Sequence, residues 1–268
     1  MDTDSADSAL QRHGENAASD GAPDGAPSSV PDSAVVVALG GLRFRWHRRL
    51  PDTLALDALR VHRGERLFIE GPSGSGKSTL LSLLAGVTTP LRGSVEVLGK
   101  RLEKLGHVER DHYRAHHVGY IFQMFNLIPY LSMLDNVLLP CRFSARRRDR
   151  AIHRAGRVED EALRLLDHLD MAHAELLSRP VTTLSVGQQQ RVAAARALMG
   201  SPELLIADEP TSSLDADRRE SFVSLLFNEC LAAGSTLIFV SHDAALEGLF
   251  DRTINLAALN QATTMPEN

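Results

Sequence analysis

Short, largely apolar runs recur along the chain, and stretches with helical spacing of apolar positions lie between them. Leu67 to Ile69, Leu204 to Ala207 and Thr236 to Val240 are such runs. Unbroken runs of this length are typical of parallel strands that are buried on both faces. The pattern therefore predicts an α/β fold with a parallel sheet. The apolar positions at helical spacing are Val158, Ala162, Leu165, Leu166 and Leu169.

Two further regions predict smaller subdomains beside this sheet. Residues 35–70 contain alternating polar and apolar steps and, together with residues 93–97, predict a small antiparallel sheet. Residues 124–183 have a helical pattern and predict a helical subdomain. We expect one domain over residues 34–262, between terminal tails at 1–33 and 263–268.

A glycine-rich loop follows the first of the apolar runs and leads into the helical run Leu80 to Leu84. It matches the pattern G-x-x-x-x-G-K-[ST], whose glycines and helix-start N–H groups cradle phosphate. Lys77 is expected at the β and γ phosphates, Ser78 at Mg²⁺ and Thr79 at an inner phosphate. The loop predicts that the chain binds a nucleoside triphosphate. Its residues are Gly71, Pro72, Ser73, Gly74, Ser75, Gly76, Lys77, Ser78 and Thr79.

Two adjacent carboxylates end the second apolar run, where open α/β sheets place their ligands. Successive side chains of a strand point to opposite faces, so Asp208 and Glu209 are expected to do different work. Asp208 is the candidate for the Mg²⁺ shell. Glu209 is the candidate for the general base that deprotonates the attacking water.

Several other motifs occur in a fixed order around these two sites. Gln123 comes first, then Leu184-Ser185-Val186-Gly187-Gln188, then Ser213-Leu214-Asp215 after the carboxylates, and finally His242 after the third run. With the phosphate loop, this order resembles the ATPase subunit of an ABC transporter over residues 35–260. The resemblance implies an α/β P-loop NTPase core of RecA type, with ATP and Mg²⁺ as cofactors.

The resemblance also implies roles for individual residues. Trp46 would stack on the adenine, and Gln123 would lie near Mg²⁺ and the attacking water. His242 would contact the γ-phosphate. Two copies of the chain would sandwich two ATP molecules, with Asp215 at the seam. The residues that would bind the ATP of the other copy are Ser185, Gly187 and Gln188.

One position departs from the family pattern, which usually reads L-S-G-G-Q. Val186 replaces the first glycine, and a β-branched residue disfavours φ > 0. Either the backbone there already has an ordinary conformation or the loop is adjusted. Gly187, the position expected nearest the phosphate, is retained.

Composition limits the partners and the compartment. The net charge is −5, and residues 1–33 carry −6, which leaves the remaining residues near +1, so no general nucleic-acid binding is expected. Those 33 residues are polar and acidic and are expected to be disordered. Two cysteines suit a reducing cytoplasm, and no run reaches the roughly 20 apolar residues of a membrane span. We expect a cytoplasmic protein bound peripherally to the inner face of the plasma membrane, with a separate permease as partner.

Two segments leave alternatives open. The apolar stretch from Met124 to Met133 fits either core packing or a groove for a permease helix. The arginine-rich stretch 142–157 fits either a solvated face or attraction to anionic lipid headgroups.

The function also leaves alternatives. Residues 120–129 and 135–140 look most like ATPases of the lipoprotein-release, macrolide-export and heterocyst-glycolipid-export group, which favours export or extraction from the membrane. A DNA-maintenance ATPase would carry a long coiled coil, and a translation factor two phosphate loops. A non-hydrolysing module would lack Glu209.

Overall fold

The computed structural model describes residues 34–171 and 173–262. Within these residues, five parallel strands form the central sheet in the order β6-β7-β8-β3-β9, and four strands form an antiparallel sheet in the order β2-β1-β4-β5. The predicted fold class is confirmed. The strands are β1 Val35–Phe44, β2 Leu54–His62, β3 Arg66–Glu70, β4 Arg92–Val97, β5 Lys100–Arg101, β6 Val118–Ile121, β7 Leu204–Asp208, β8 Thr236–Val240 and β9 Arg252–Asn255.

Helices cover the central sheet and fill the region between β6 and β7. None of the helices in the described ranges is both long and apolar enough to cross a bilayer. The predicted tails at 1–33 and 263–268 lie outside the described residues. The helices are α1 Lys77–Leu84, α2 His107–His117, α3 Met133–Phe143, α4 Ala145–Ala155, α5 Val158–His168, α6 Ala174–Leu177, α7 Val186–Leu198, α8 Ala216–Ala233 and α9 Leu256–Leu259.

The three apolar runs become the neighbouring strands β3, β7 and β8. In β7, Leu204, Leu205, Ile206 and Ala207 are all buried, as a strand covered on both faces requires. Strand β3 lies within the region 35–70 that predicted an antiparallel sheet, but it pairs in parallel with β8 and β9. The difference arises because β3 is a short buried apolar run rather than an alternating one.

The segment after Gln123 is not helical, although the prediction of helical structure began at residue 124. Residues 122–132 form turns, with positive φ at Phe125 (58°) and Asn126 (47°), and α3 begins only at Met133. Asn136 is buried and fixes this segment by hydrogen bonds of its side chain. Its Oδ1 accepts from Ile128 N at 2.8 Å, and its Nδ2 donates to the carbonyls of residues 128 and 132. Helix α3 therefore anchors the irregular stretch before it.

Most of the arginine-rich stretch 142–157 is exposed, as a solvated face requires, but part of it turns inward, which neither of its two interpretations anticipated. Arg147 is buried and donates to the carbonyls of Met199 and Ala197 at the end of α7. Arg146 and Arg150 both donate to Glu203, just before β7. These contacts bind α4 to the central sheet, because Glu203 and the end of α7 both adjoin it.

Candidate functional site

A cavity of about 460 Å³ lies at the carboxyl ends of β3, β7 and β8. Parallel strands bring the loops that follow them to the same edge of a sheet, which is why motifs far apart in sequence meet there. The cavity joins most of the phosphate loop, both carboxylates, Gln123 and His242. Its lining residues are Thr53, Ser73, Gly74, Gly76, Lys77, Ser78, Thr79, Gln123, Asp208, Glu209 and His242.

The phosphate loop is shaped by glycine where other residues would not fit. Gly76 has φ 98°, a backbone conformation that strains any residue with a side chain. A Cβ there would also lie 2.6 Å from Leu54 Cδ2, so there is no room for a side chain. Helix α1 begins directly after it, with its free N–H groups at the cavity. Lys77 Nζ donates to the carbonyls of Gly71 at 2.5 Å and Pro72 at 3.0 Å, which hold the ammonium group over the loop.

Asn260 ties the phosphate loop to the antiparallel sheet, a contact that the sequence did not indicate. Its amide donates to Ser75 O at 3.2 Å and to Thr53 O at 3.0 Å, and its oxygen accepts from Ala55 N at 2.8 Å. Thr53 itself lines the cavity. A C-terminal residue therefore fixes the loop against strand β2.

Asp208 ends β7 in a mostly buried position beside the loop. Burial raises the pKa of its carboxyl above the usual value, the charge of Glu209 adds to this, and Lys77 opposes it. Ser78 and Tyr120 both hydrogen-bond to Asp208, and burial together with this carboxylate raises the pKa of Tyr120. Tyr120 is a second residue that the motifs did not reveal. No signal in the sequence separates it from an ordinary strand residue of β6.

Glu209 adopts a conformation that only its surroundings can maintain. Its φ is 48°, in the left-handed region, and its N–H donates to Val240 O at 2.9 Å. Non-glycine residues in this region cost about 1–3 kcal/mol and cluster at functional sites. The carboxylate Oε2 lies 2.8 Å from His242 Nδ1, and the histidine ring is exposed to the cavity. The two residues therefore face the cavity as a hydrogen-bonded pair.

Gln123 lines the same cavity two residues after the end of β6 and is exposed. In the apolar stretch that follows, some residues pack in the core and others are exposed, so each of the two interpretations applies to part of it. Leu127 packs against the core, whereas Met124 and Tyr130 are each 81% exposed. The segment thus connects the cavity to an exposed apolar surface.

The L-S-x-G-Q motif does not join the cavity. It begins α7, where Ser185 is the N-cap and forms a capping box with Gln188, with Ser185 Oγ accepting from Gln188 N at 3.3 Å. Helix α7 starts six residues before the alanine-rich part that predicted it. Val186 is its first helical residue, so the first of the two alternatives for this position, an ordinary backbone, is what the structure has. Ser185, Gly187 and Gln188 line a separate cavity of about 210 Å³.

Asp215 also lies apart from the phosphate cavity, as the N-cap of α8. The loop that carries it is linked to the histidine loop by Arg219, which donates from Nε to Leu214 O at 2.8 Å and from Nη1 to Asp243. Asp243 follows His242 directly. One guanidinium group therefore connects the loops of two predicted site residues.

Trp46 lies in the loop between β1 and β2 and is 56% exposed, so it is not a core residue. Its ring packs edge-on against Phe44, with centroids 5.0 Å apart. An ion pair between Arg45 and Asp52 at 2.8 Å closes this loop. The loop leads into Thr53 and Leu54, which lie beside Gly76 of the phosphate loop, so the segment that carries this exposed ring continues directly into the wall of the cavity.

Comparison with known proteins identifies the family of the chain. The family model described as ABC transporter matches residues 56–212. The chain is 42% identical over 198 residues to the ABC transporter ATP-binding protein YbbA of Escherichia coli, covering 74% of this chain and 83% of YbbA. It is 36% identical to the lipoprotein-releasing ATP-binding protein LolD of Shewanella denitrificans, over 77% and 85%. It is also 42% identical to the phosphate-import ATP-binding protein PhnC of Mycolicibacterium smegmatis, over 74% and 76%.

Solved structures agree with these relatives. The dimeric structure of MJ0796, described as a bacterial ABC transporter cassette, superposes with a TM-score of 0.70 and 30% identity over 82% of this chain and 95% of that one. A second MJ0796 dimer, described as a post-hydrolysis state bound to ADP and Pi, has a TM-score of 0.69 and 30% identity, over 87% and 100%.

Proposed function

The chain belongs to the ABC transporter ATP-binding family, and we propose that it is the ATP-hydrolysing subunit that powers a separate membrane permease. The observation that carries this proposal is the cavity that joins Lys77, Gln123, Glu209 and His242 at one edge of the sheet. It combines a phosphate cradle with a carboxylate base and a histidine. Phosphoryl transfer by P-loop proteins uses such a cradle together with a group that orients or deprotonates the attacking water.

We infer that the triphosphate binds across the loop from Gly71 to Thr79, with its β and γ phosphates at Lys77. The N–H groups at the start of α1 and the helix dipole favour anions at this position. The exposed ring of Trp46 is available to stack on the adenine, since the loop that bears it leads to the phosphate cradle.

Mg²⁺ fits the oxygen atoms at the same place. Ser78 and Asp208 are hydrogen-bonded to each other, and Gln123 lines the same cavity. Among the described residues there is no cluster of three or more His, Cys, Asp and Glu side chains that would hold a metal alone. The few oxygen donors of Ser78, Asp208 and Gln123 suit Mg²⁺, which is usually held by one or two protein oxygens together with substrate phosphates. The bound ion would neutralise charge on the phosphates during transfer.

In the proposed reaction, Glu209 accepts a proton from the attacking water and His242 contacts the γ-phosphate. The Glu209 carboxylate is held in place by its strained backbone and by His242, so it is oriented before the substrate arrives. Gln123 is positioned to orient the water.

The remaining site residues would act on a second copy of the chain. Ser185, Gly187 and Gln188 are outside the phosphate cavity, yet they form an exposed helix start suited to anions. A Cβ on Gly187 would meet only Leu214 Cδ2, at an ordinary 3.7 Å, so packing within the subunit does not require glycine there. We infer that glycine is needed there because the phosphate of the ATP bound to the second copy approaches this backbone closely. Asp215 would lie at the seam between the copies.

We infer that the subunit is cytoplasmic and binds the permease on the inner face of the membrane through the exposed residues Met124 and Tyr130. Similarity to LolD supports export or extraction of a substrate from the membrane, whereas similarity to PhnC supports import. The sequence of residues 120–129 favours export. The longest helix in the described ranges, α8, has 18 residues, so the coiled coil of a DNA-maintenance ATPase is not present there.

Reconstitution tests this proposal. The subunit is purified with its permease, and ATP turnover is measured with and without the permease in proteoliposomes. We expect low basal turnover, and stimulation that Met124→Glu or Tyr130→Glu abolishes while basal turnover persists. Leu231→Glu is the matched control, because Leu231 is 84% exposed on α8, away from the cavity. Full turnover without any membrane partner, or equal loss in the control, would exclude this role.

A further inference from the structure

Arg196 on α7 reaches the segment that follows Gln123 and binds its backbone. The guanidinium group donates from Nη1 to Asn126 O at 2.7 Å and from Nη2 to Phe125 O at 2.6 Å. A planar guanidinium presents its N–H groups in a fixed fork. It therefore holds two consecutive carbonyl groups in one orientation, about 70 residues away in sequence.

The backbone that Arg196 holds is strained. Phe125 and Asn126 both have left-handed φ values, 58° and 47°. Asparagine tolerates this region, but phenylalanine does not favour it. Such conformations persist only where the surrounding structure imposes them. The two hydrogen bonds from Arg196 are the contacts that fix the carbonyl groups of these two residues.

The charge of Arg196 is retained at a cost. The side chain is half-buried, and burial lowers its pKa to about 10, so the group remains charged at pH 7. A desolvated charge is tolerated where its hydrogen-bond donors are satisfied, and here carbonyl oxygens satisfy them. A neutral side chain in this position would pack more cheaply but would leave the segment free.

Helix α7 connects this contact to another predicted site. Its N-cap is Ser185, and Arg196 lies eleven residues later, about 16 Å along the same rigid helix. At the far end of the segment, Asn136 fixes residues 128–132 independently. The part of the segment that depends on Arg196 is therefore residues 123–127.

We propose that Arg196 is a positioning residue that couples helix α7 to Gln123. This rests on the proposed function, in which Ser185 contacts the nucleotide of a second subunit while Gln123 contacts the subunit's own. When the second subunit engages the start of α7, the helix carries the carbonyl groups of residues 125 and 126 with it. This movement orients Gln123 and at the same time shifts the exposed side chain of Met124 next to it.

A double-mutant cycle on turnover tests this coupling. Arg196→Lys keeps the charge but loses the fork, and we expect kcat to fall about 10- to 100-fold with little change in KM, the scale typical of a misplaced catalytic group. In a Gln123→Ala background the same change should have almost no further effect, because Arg196 acts through Gln123. Additive effects would show that Arg196 acts elsewhere, and they would overturn the proposal.

Hydrogen exchange provides a readout that does not depend on turnover. Without nucleotide, Arg196→Lys should raise exchange of the amides of residues 125–127 by at least about tenfold, since local openings set exchange, while α7 stays protected. Arg150→Lys is the matched control, because Arg150 also donates to a backbone carbonyl, Ser201 O at 2.7 Å, but outside this segment. Unchanged exchange in Arg196→Lys would overturn the proposal. A wild-type protein without ATPase activity would contradict the proposed function and leave this test valid.

Discussion

Arg147 and Arg148 are adjacent in the same basic stretch, yet replacing them by methionine should have very different consequences. Arg147 is 4% exposed and donates to Met199 O at 2.7 Å and to Ala197 O, at the end of α7. The last carbonyls of a helix have no partners within it, so Arg147 serves as a C-terminal cap donated by another helix. The side chain of Arg148 is exposed.

The size of the effect follows from these contacts. Burial lowers the pKa of Arg147 to about 10, so the group is charged at pH 7 and both hydrogen bonds are charge-assisted. Each such bond contributes about 1.5–3 kcal/mol in mutational series, which already include desolvation of the donor. Methionine restores part of the packing, so we expect a net loss of about 3 kcal/mol in the free energy of unfolding for Arg147→Met.

Thermal unfolding followed by circular dichroism measures this difference. For a domain of this size a loss of about 3 kcal/mol lowers Tm by roughly 6–12 °C. Arg148→Met should change stability by less than about 0.5 kcal/mol, as exposed substitutions usually do. Equal shifts for the two variants would refute the cap, because then the charge of the stretch rather than the hydrogen bonds of Arg147 would matter.

The remaining predictions concern ATP. Glu209→Gln should keep ATP binding but lower kcat about 100-fold or more, the scale of general-base loss, and accumulate an ATP-bound dimer in gel filtration; near-normal turnover would remove Glu209 from that role. Lys77→Ala should weaken ATP binding itself, measured by calorimetry, because the charge opposite the β and γ phosphates is lost. Trp46→Ala should raise KM for ATP by about 5- to 150-fold, since stacking contributes about 1–3 kcal/mol. Unchanged KM would mean that Trp46 does not contact the base.

The parts of the site that the sequence predicted are those encoded locally. Lys77, Glu209 and His242 each follow a short apolar run, and the end of such a run marks the edge of a parallel sheet. Once the three strands are neighbours, the residues after them must meet. Their convergence in one cavity needed no knowledge of side-chain packing.

The parts that the sequence did not predict depend on contacts between distant residues. Asn260 reaches Ser75 across 185 positions, and Arg196 reaches Phe125 across 71. No residue type or spacing near Asn260 or Arg196 in the sequence indicates that either one makes such a contact. Arg147 and Arg148 are chemically identical, and only the turn of α4 decides that one faces α7 and the other solvent. Local pattern cannot encode that choice without the position of the partner element.

Helices α7 and α8 each carry an arginine that hydrogen-bonds to a loop at the edge of the central sheet. Loops at the edge of a sheet leave carbonyl groups without strand partners, and an open cavity provides no rigid neighbour to pair them. Arg196 on α7 pairs the carbonyls after Gln123, and Arg219 on α8 pairs Leu214 O and the carboxylate of Asp243. Arg219 therefore links the loop of Asp215 to the loop of His242, which is hydrogen-bonded to Glu209. Each of the two arginines therefore joins a helix to a loop at one side of the cavity, and neither of these contacts involves the phosphate loop.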